Sequence, residues 1–350
     1  MRPNLAIILS SGRCGSTALS DALSYRDDVL VLPELFSLVK ESSGQSDHFG
    51  GEEFWRILST PPLDQRVLAT HSIAPSELRY PVATLPSTGS RFTYSSGVPP
   101  IAAVTLPSLT TDTDELYDRM SSEITSWPDQ TIGQHYRELM SYLARGRTVQ
   151  LIIERSGGSL EYASLLQRWF PEAKAIHLYR DGRNCAISMS NHAMYRMAII
   201  RRRLLRFFGT DPYTSALPIT SHEPPPQDLL DFLPTTFDPD RFRNATLPYS
   251  EFGLLWSSMI LKGQKALHSW SPHLDISYEA LVASPIDELQ KIEDFLHLAP
   301  NSEWLAASAP AFHGRGDSWL LLAQDDRDEL TRSCRLGMDI LFGRGAWRTA

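Results

Sequence analysis

Short apolar runs that end in a polar turn and give way to a helical pattern constrain this chain more than any other feature. The first, Leu5–Leu9, runs into Ser10-Ser11-Gly12-Arg13-Cys14-Gly15-Ser16-Thr17, after which Ala18, Leu19, Ala22 and Leu23 recur at helical spacing. Further runs lie at Val29–Leu32, Arg66–Ala69, Thr148–Ile153, Ala175–Tyr179 and Leu274–Ser277, most of them followed in the same way. Alternation of this kind predicts an α/β fold: a three-layer sandwich with a central parallel sheet and helices on both faces. Ligands of such sheets bind at the carboxyl ends of the strands.

Two stretches interrupt the alternation. Residues 73–113 are rich in Pro, Ser and Thr and, with the helical stretch that follows to 147, form one expected excursion. Residues 193–250 form a second, beginning with the helix-like Ala193–Phe208, and are expected as a lid insertion. Residues 251–350 read as mainly helical, most clearly in Phe252–His268, Ile286–Leu296 and Asp325–Leu341. With 350 residues, 42% of them apolar, the chain is expected as a single domain over 1–350.

Charge and cysteines narrow the function classes. A net charge of −8 argues against a mainly electrostatic nucleic-acid binder, so any anion site must be local. Cys14, Cys185 and Cys334 are too few and too scattered for a disulfide framework or a thiolate zinc site, which fits a reducing compartment and no metal. The five apolar residues after Met1–Asn4 are too few for a secretory signal, and no stretch reaches the length of a membrane span. A cytoplasmic protein is expected, with the Asn244-Ala245-Thr246 sequon a chance match.

The opening turn has the chemistry of an anion cradle. A glycine-containing strand-to-helix turn exposes backbone N–H groups, and the first helical turn adds unpaired donors and a partial positive charge. Arg13 supplies a full charge, and Ser16 and Thr17 supply hydroxyls. Gly15 is followed directly by Ser16-Thr17 with no lysine, so an ordinary ATP or GTP loop is disfavoured. A second strand-turn-helix unit, "AIHLYRDGRNCAISMSNH" from Ala175 to His192, places Arg180 and Ser188 eight residues apart, where a strand-end arginine and a helix serine can converge on one oxyanion.

With both units the chain resembles the P-loop-like sulfotransferases that use 3′-phosphoadenosine 5′-phosphosulfate (PAPS) and release 3′,5′-ADP (PAP), of the soluble bacterial type. The resemblance implies that Ser11, Gly12, Arg13, Cys14, Gly15, Ser16 and Thr17 hold the 5′-phosphosulfate and that Arg180 and Ser188 hold the 3′-phosphate. "FPEAKAIHLYRDGRNCAISMS", "ISYEALVASP" and "HGRGDSW" are similar to further family segments. The last implies nucleotide contacts for Arg315 and Gly316, although the usual arginine-lysine-glycine order is absent. "IIERSGGSLEYASLL" resembles bacterial members that carry a charged residue after a central strand, which puts Glu154 and Arg155 near the cleft.

The implied reaction is in-line transfer of a sulfuryl group to a hydroxyl, or less readily an amine, of a small molecule, lipid or sugar. It needs a base for the acceptor proton and positive groups on the developing charge. Two bases compete. Glu34, in "VLVLPELFS", stands where glycan-directed and bacterial members carry a carboxylate, and His71, in "RVLATHSIAP", stands where cytosolic members carry a histidine, here with Ala69 in place of their lysine. Arg13 is the third catalytic candidate. "YRMAIIRRRLLRFF", 195–208, reads either as a solvated surface helix or as a basic amphipathic lid able to meet a membrane surface. A kinase and a non-catalytic nucleotide-binding module are the competing classes.

Overall fold

The computed structural model describes residues 3–37, 48–82, 91–215, 224–314, 316–344 and 347. Its centre is a sheet of five parallel strands: β1 (Asn4–Leu9), β2 (Val29–Pro33), β3 (Leu151–Arg155), β4 (Lys174–Tyr179) and β5 (His273–Ser277). Their order is β2-β3-β1-β4-β5. Ala6 to Leu9 of β1 are fully closed to solvent, and all residues of β2 and β3 are buried. Continuous apolar runs of this kind are what a strand covered on both faces requires.

Helix α1 (Ser16–Ser24) joins β1 to β2, buries Leu19, Ala22 and Leu23, and packs on β2 and β3. The β1-to-β2 crossover runs one way across the sheet, while those from β3 to β4 and from β4 to β5 run the other way. Parallel crossovers are right-handed, so this reversal sends their helices to opposite faces. Helix α2 (Leu63–Thr70) comes just before the first excursion. Helix α3 (Gly182–Ser190) follows β4 and leads into α4 (Ala193–Phe208). The long α5 (Tyr249–Leu267) packs on α3 and on α6 (Gln324–Phe342).

Two strand expectations are corrected. Arg66–Ala69 lies inside α2, because Asp64, Val67 and Leu68 are buried at i, i+3 and i+4, the spacing of one helical face. The central strand starts at Leu151 and runs on through Glu154 and Arg155, which are buried sheet residues in register with Leu32 and Pro33. A small antiparallel pair, His48–Phe49 with Gln130–Thr131, has no counterpart in the apolar pattern.

The basic helix α4 is knit into the protein by its arginines. Arg201 pairs with Asp64 and Asp211, Arg203 with Glu251, and Arg196 donates to the carbonyls of Ser190, Phe242 and Ala245. Arg202 and Arg206 are exposed. Among the described residues no helix is long and apolar enough to cross a membrane.

Candidate functional site

The crevice opens where the sheet changes direction. β1 and β4 pair in parallel with Leu9 opposite His177, so the turns that follow them leave the sheet side by side. The Cys14 thiol donates to the Leu178 carbonyl at 3.4 Å, which ties the first turn to the second strand. A cavity of about 500 Å³ lies over these strand ends, and Gly12, Arg13, Gly15, Ser16, Thr17, Glu34, Arg180 and Ser188 all line it. The structure therefore brings most of the expected site residues to one place.

The first turn is built for close approach. Gly12 and Gly15 have φ of 75° and 92°, and a Cβ on them would lie 1.8 Å from the Tyr195 hydroxyl and 2.5 Å from the Tyr278 ring. Only glycine fits either position. Gly15 is the N-cap of α1 and no side chain caps this helix, so its first-turn N–H groups face the cavity end without a capping partner. Ser11 and Cys14 are buried behind the turn. The Ser11 carbonyl accepts from the Tyr195 hydroxyl at 3.0 Å, and burial pushes the Cys14 thiol up, so Ser11 serves the turn through its backbone and Cys14 through its protonated thiol.

Arg13 sits at φ 60° and reaches across to the second unit. Its Nε donates to Ser188 Oγ at 3.1 Å and its terminal nitrogen to Glu77 Oε1 at 2.7 Å. Glu77 Oε2 in turn takes the His192 Nε2 at 2.7 Å. Burial pushes the Glu77 carboxyl up, but the His192 hydrogen bond and the charges of His192 and Arg13 outweigh it and hold the group at about 2. Arg180 lies 4.5 Å over the Tyr278 ring, and its Nε is buried with no hydrogen-bond partner. A buried guanidinium nitrogen with no protein partner suits an anion, and so, in the first turn, does an uncapped helix start.

Glu34 stands at φ 58° just past β2 and lines the cavity. Its carboxylate pairs with Arg155 and accepts the Gly157 N–H at 3.2 Å, so it both faces the cleft and closes an ion pair. Burial pushes its pKa up against the opposing pull of Arg155. Behind it Glu154 is fully closed to solvent and is pushed up to about 8 by burial, although the Ser156 hydroxyl and Phe36 N–H oppose this.

Other expected residues lie elsewhere. His71 caps the end of α2, its ring 5.5 Å from Phe237 and its carbonyl bonded to Arg243, and it is not among the residues lining the cavity. Gly316 does not line it either, and Arg315 lies outside the described residues. The segment around them is fastened to α3, with Asn184 donating to Asp317 and Arg183 3.7 Å over Trp319, while His313 reaches the cavity. Sequence reasoning missed Glu77 and His192. The signal for His192 was its place four residues after Ser188, while Glu77 had none.

No family profile and no curated protein matches the chain. Solved structures similar to it include the sulfotransferase domain from the curacin biosynthetic pathway, 17% identical, covering 94% of this chain and 90% of that one with a TM-score of 0.44. The sulfotransferase domain of the Synechococcus PCC 7002 olefin synthase is 17% identical, with coverage of 95% and 88% and a TM-score of 0.43. A sulfotransferase from Alicyclobacillus acidocaldarius is 15% identical, with coverage of 99% of each chain and a TM-score of 0.40.

Proposed function

We propose that this protein is a PAPS-dependent sulfotransferase that moves a sulfuryl group to a hydroxyl of its acceptor by in-line displacement. The observation that carries the reading is the pair of anion-holding corners on adjacent strands, opening into one cavity, with the Arg180 Nε unpartnered in the second and an uncapped helix start in the first. These residues fit a ligand with two separated anionic groups.

PAPS supplies an activated sulfuryl group attached to a phosphate that leaves as part of PAP. The amides of Gly15, Ser16 and Thr17 and the two hydroxyls hold the 5′-phosphate, and Arg180 with Ser188 holds the 3′-phosphate. Arg13 sets its charge beside the oxygens on which negative charge develops, where a fixed cation in a partly closed site is most effective. Glu34, at the cavity wall, accepts the acceptor's hydroxyl proton as the oxygen attacks; its raised pKa makes it a better base than a solvated carboxylate.

Calorimetric titration with PAP, against 5′-AMP, ADP and ATP, tests the reading on wild type and on Arg180→Ala. Losing Arg180 removes about two charge-assisted bonds of ~1.5–3 kcal/mol each, a weakening of at least about a hundredfold. Equal binding of ATP, or no preference for the 3′-phosphate, refutes the sulfotransferase reading and favours a kinase or a general nucleotide binder.

A further inference from the structure

The cavity has two unlike halves. Among the described residues the strand-end half holds the arginines of the lining, Arg13, Arg155 and Arg180, and His192 is bound to Glu77, the partner of Arg13. The far half is built by α2 and the two excursions: Leu68 of α2, Ile73, Val98 and Val104 of the first excursion, and Met194 and Ala198 of α4, four residues apart and so on one face of that helix. From this geometry we infer that the acceptor is an uncharged, largely apolar alcohol or phenol, neither a sugar nor an anion. The inference rests on the sulfuryl-transfer reading and names the acceptor class of that same site.

Polarity carries the exclusion of sugars. Among the described residues the uncharged polar side chains that α2, the first excursion and α4 bring to the lining are Gln65, Tyr94 and Tyr195; the Tyr195 hydroxyl already donates to Ser11, and Glu77 of the same excursion is taken by Arg13 and His192. A sugar presents several hydroxyls, and each one buried without a partner costs ~1–3 kcal/mol. An apolar body instead gains about 25 cal/mol for each Å² it removes from water against these walls.

Charge carries the exclusion of anions. The lining carboxylates are Glu34, Glu77 and Glu161. Arg13 and Arg155 are already paired with Glu77 and Glu34, and the donor's own phosphates compete for Arg13 and Arg180. Among the described residues an anionic acceptor finds no uncommitted cation in the far half, and Glu34 and Glu77 stand at the end it must present to the donor, so desolvation and like-charge repulsion both oppose it.

The test uses the protein saturated with PAP and three probes titrated by calorimetry: 2-naphthol, its carboxylated analogue 6-hydroxy-2-naphthoate, and methyl β-glucoside. The expected result is binding of 2-naphthol, binding of the carboxylate about a hundredfold weaker, and none of the glucoside. Two variants of the far half, the filling Ala198→Phe and the charged Val98→Glu, are expected to weaken 2-naphthol at least about tenfold while PAP titrates as in wild type, which also reports that they fold. Glucoside or carboxylate binding as tight as 2-naphthol, no 2-naphthol binding to the PAP complex, or no effect of either variant that still binds PAP overturns the inference. Failure of wild type to bind PAP overturns the sulfuryl-transfer reading instead, and the same probes on the free protein then still decide whether the far half takes an apolar ligand.

Discussion

Replacing Glu77 by Gln tests the ion-pair chain that ties the first excursion to the phosphate corner. The carboxyl is held at about 2 against an ordinary 4.5, and its side chain is 22% exposed. At about 1.4 kcal/mol per pH unit, that drop corresponds to ~3 kcal/mol of stability at neutral pH. The folded pKa is depressed, so this stability is fully present above pH 4.5 and is lost as the pH falls from there to about 2. Urea unfolding followed by tryptophan fluorescence, at steps from pH 7 to pH 3, should show wild type more stable than Glu77→Gln by ~2–3 kcal/mol at neutrality, with the gap narrowing below pH 4.5. The same substitution takes a negative charge away from Arg13, and PAP should bind about tenfold more tightly. A constant gap across the series, or one under ~0.5 kcal/mol at pH 7, refutes the account of the Arg13–Glu77–His192 chain, and weaker PAP binding refutes the view that Glu77 competes with an incoming anion.

Three further outcomes follow from the same geometry. Gly15→Ala meets both the left-handed backbone and the Tyr278 ring and should cost ~2–5 kcal/mol in a denaturant titration, with PAP binding lost; near-wild-type stability would mean the turn is not held as described. Glu154→Gln should stabilise the protein at pH 8 relative to wild type, because a carboxyl with a folded pKa near 8 loses stability as the pH rises from 4.5 towards 8; equal melting temperatures at pH 5 and pH 8 in the two proteins would contradict its burial as a protonated acid. Glu34→Gln should leave PAP affinity within about twofold while lowering the rate of sulfuryl transfer about a hundredfold or more, and an unchanged rate would remove Glu34 as the base.

The strand ends were legible because their signals are local. Five apolar runs, a glycine-bearing turn and an arginine-serine spacing of eight are properties of short windows, and β1, α1 and β4 formed where those windows placed them. Arg66–Ala69 misled because four residues with an apolar centre fit a strand as well as a helix, and Asp64, which marks the helical face, lies outside that window. Glu154 and Arg155 misled in the opposite sense. Charged residues at the end of a strand read as turn, yet here one is paired with Glu34 and the other is neutralised by burial. Glu77 meets Arg13 across 64 residues, and no periodicity encodes a contact between an irregular segment and a turn so far away. His71 was a candidate only through its neighbours in sequence, while its position is decided by where α2 ends.

The pairing of β1 with β4 fixes more than the location of the crevice. Neighbouring strands are held about 4.8 Å apart by their hydrogen-bond ladder, and the register fixes the offset of the two turns, β1 ending at Leu9 opposite His177 and β4 two residues further on at Tyr179. The separation between the two anion corners is therefore a property of the backbone lattice, as stiff as the sheet itself. Exchanging side chains on either turn can retune how strongly a bisphosphate is held, but the spacing it must present stays the same. A variant that prefers a longer or shorter bisphosphate has to move a strand, which makes the sheet the gauge by which this protein measures its ligand.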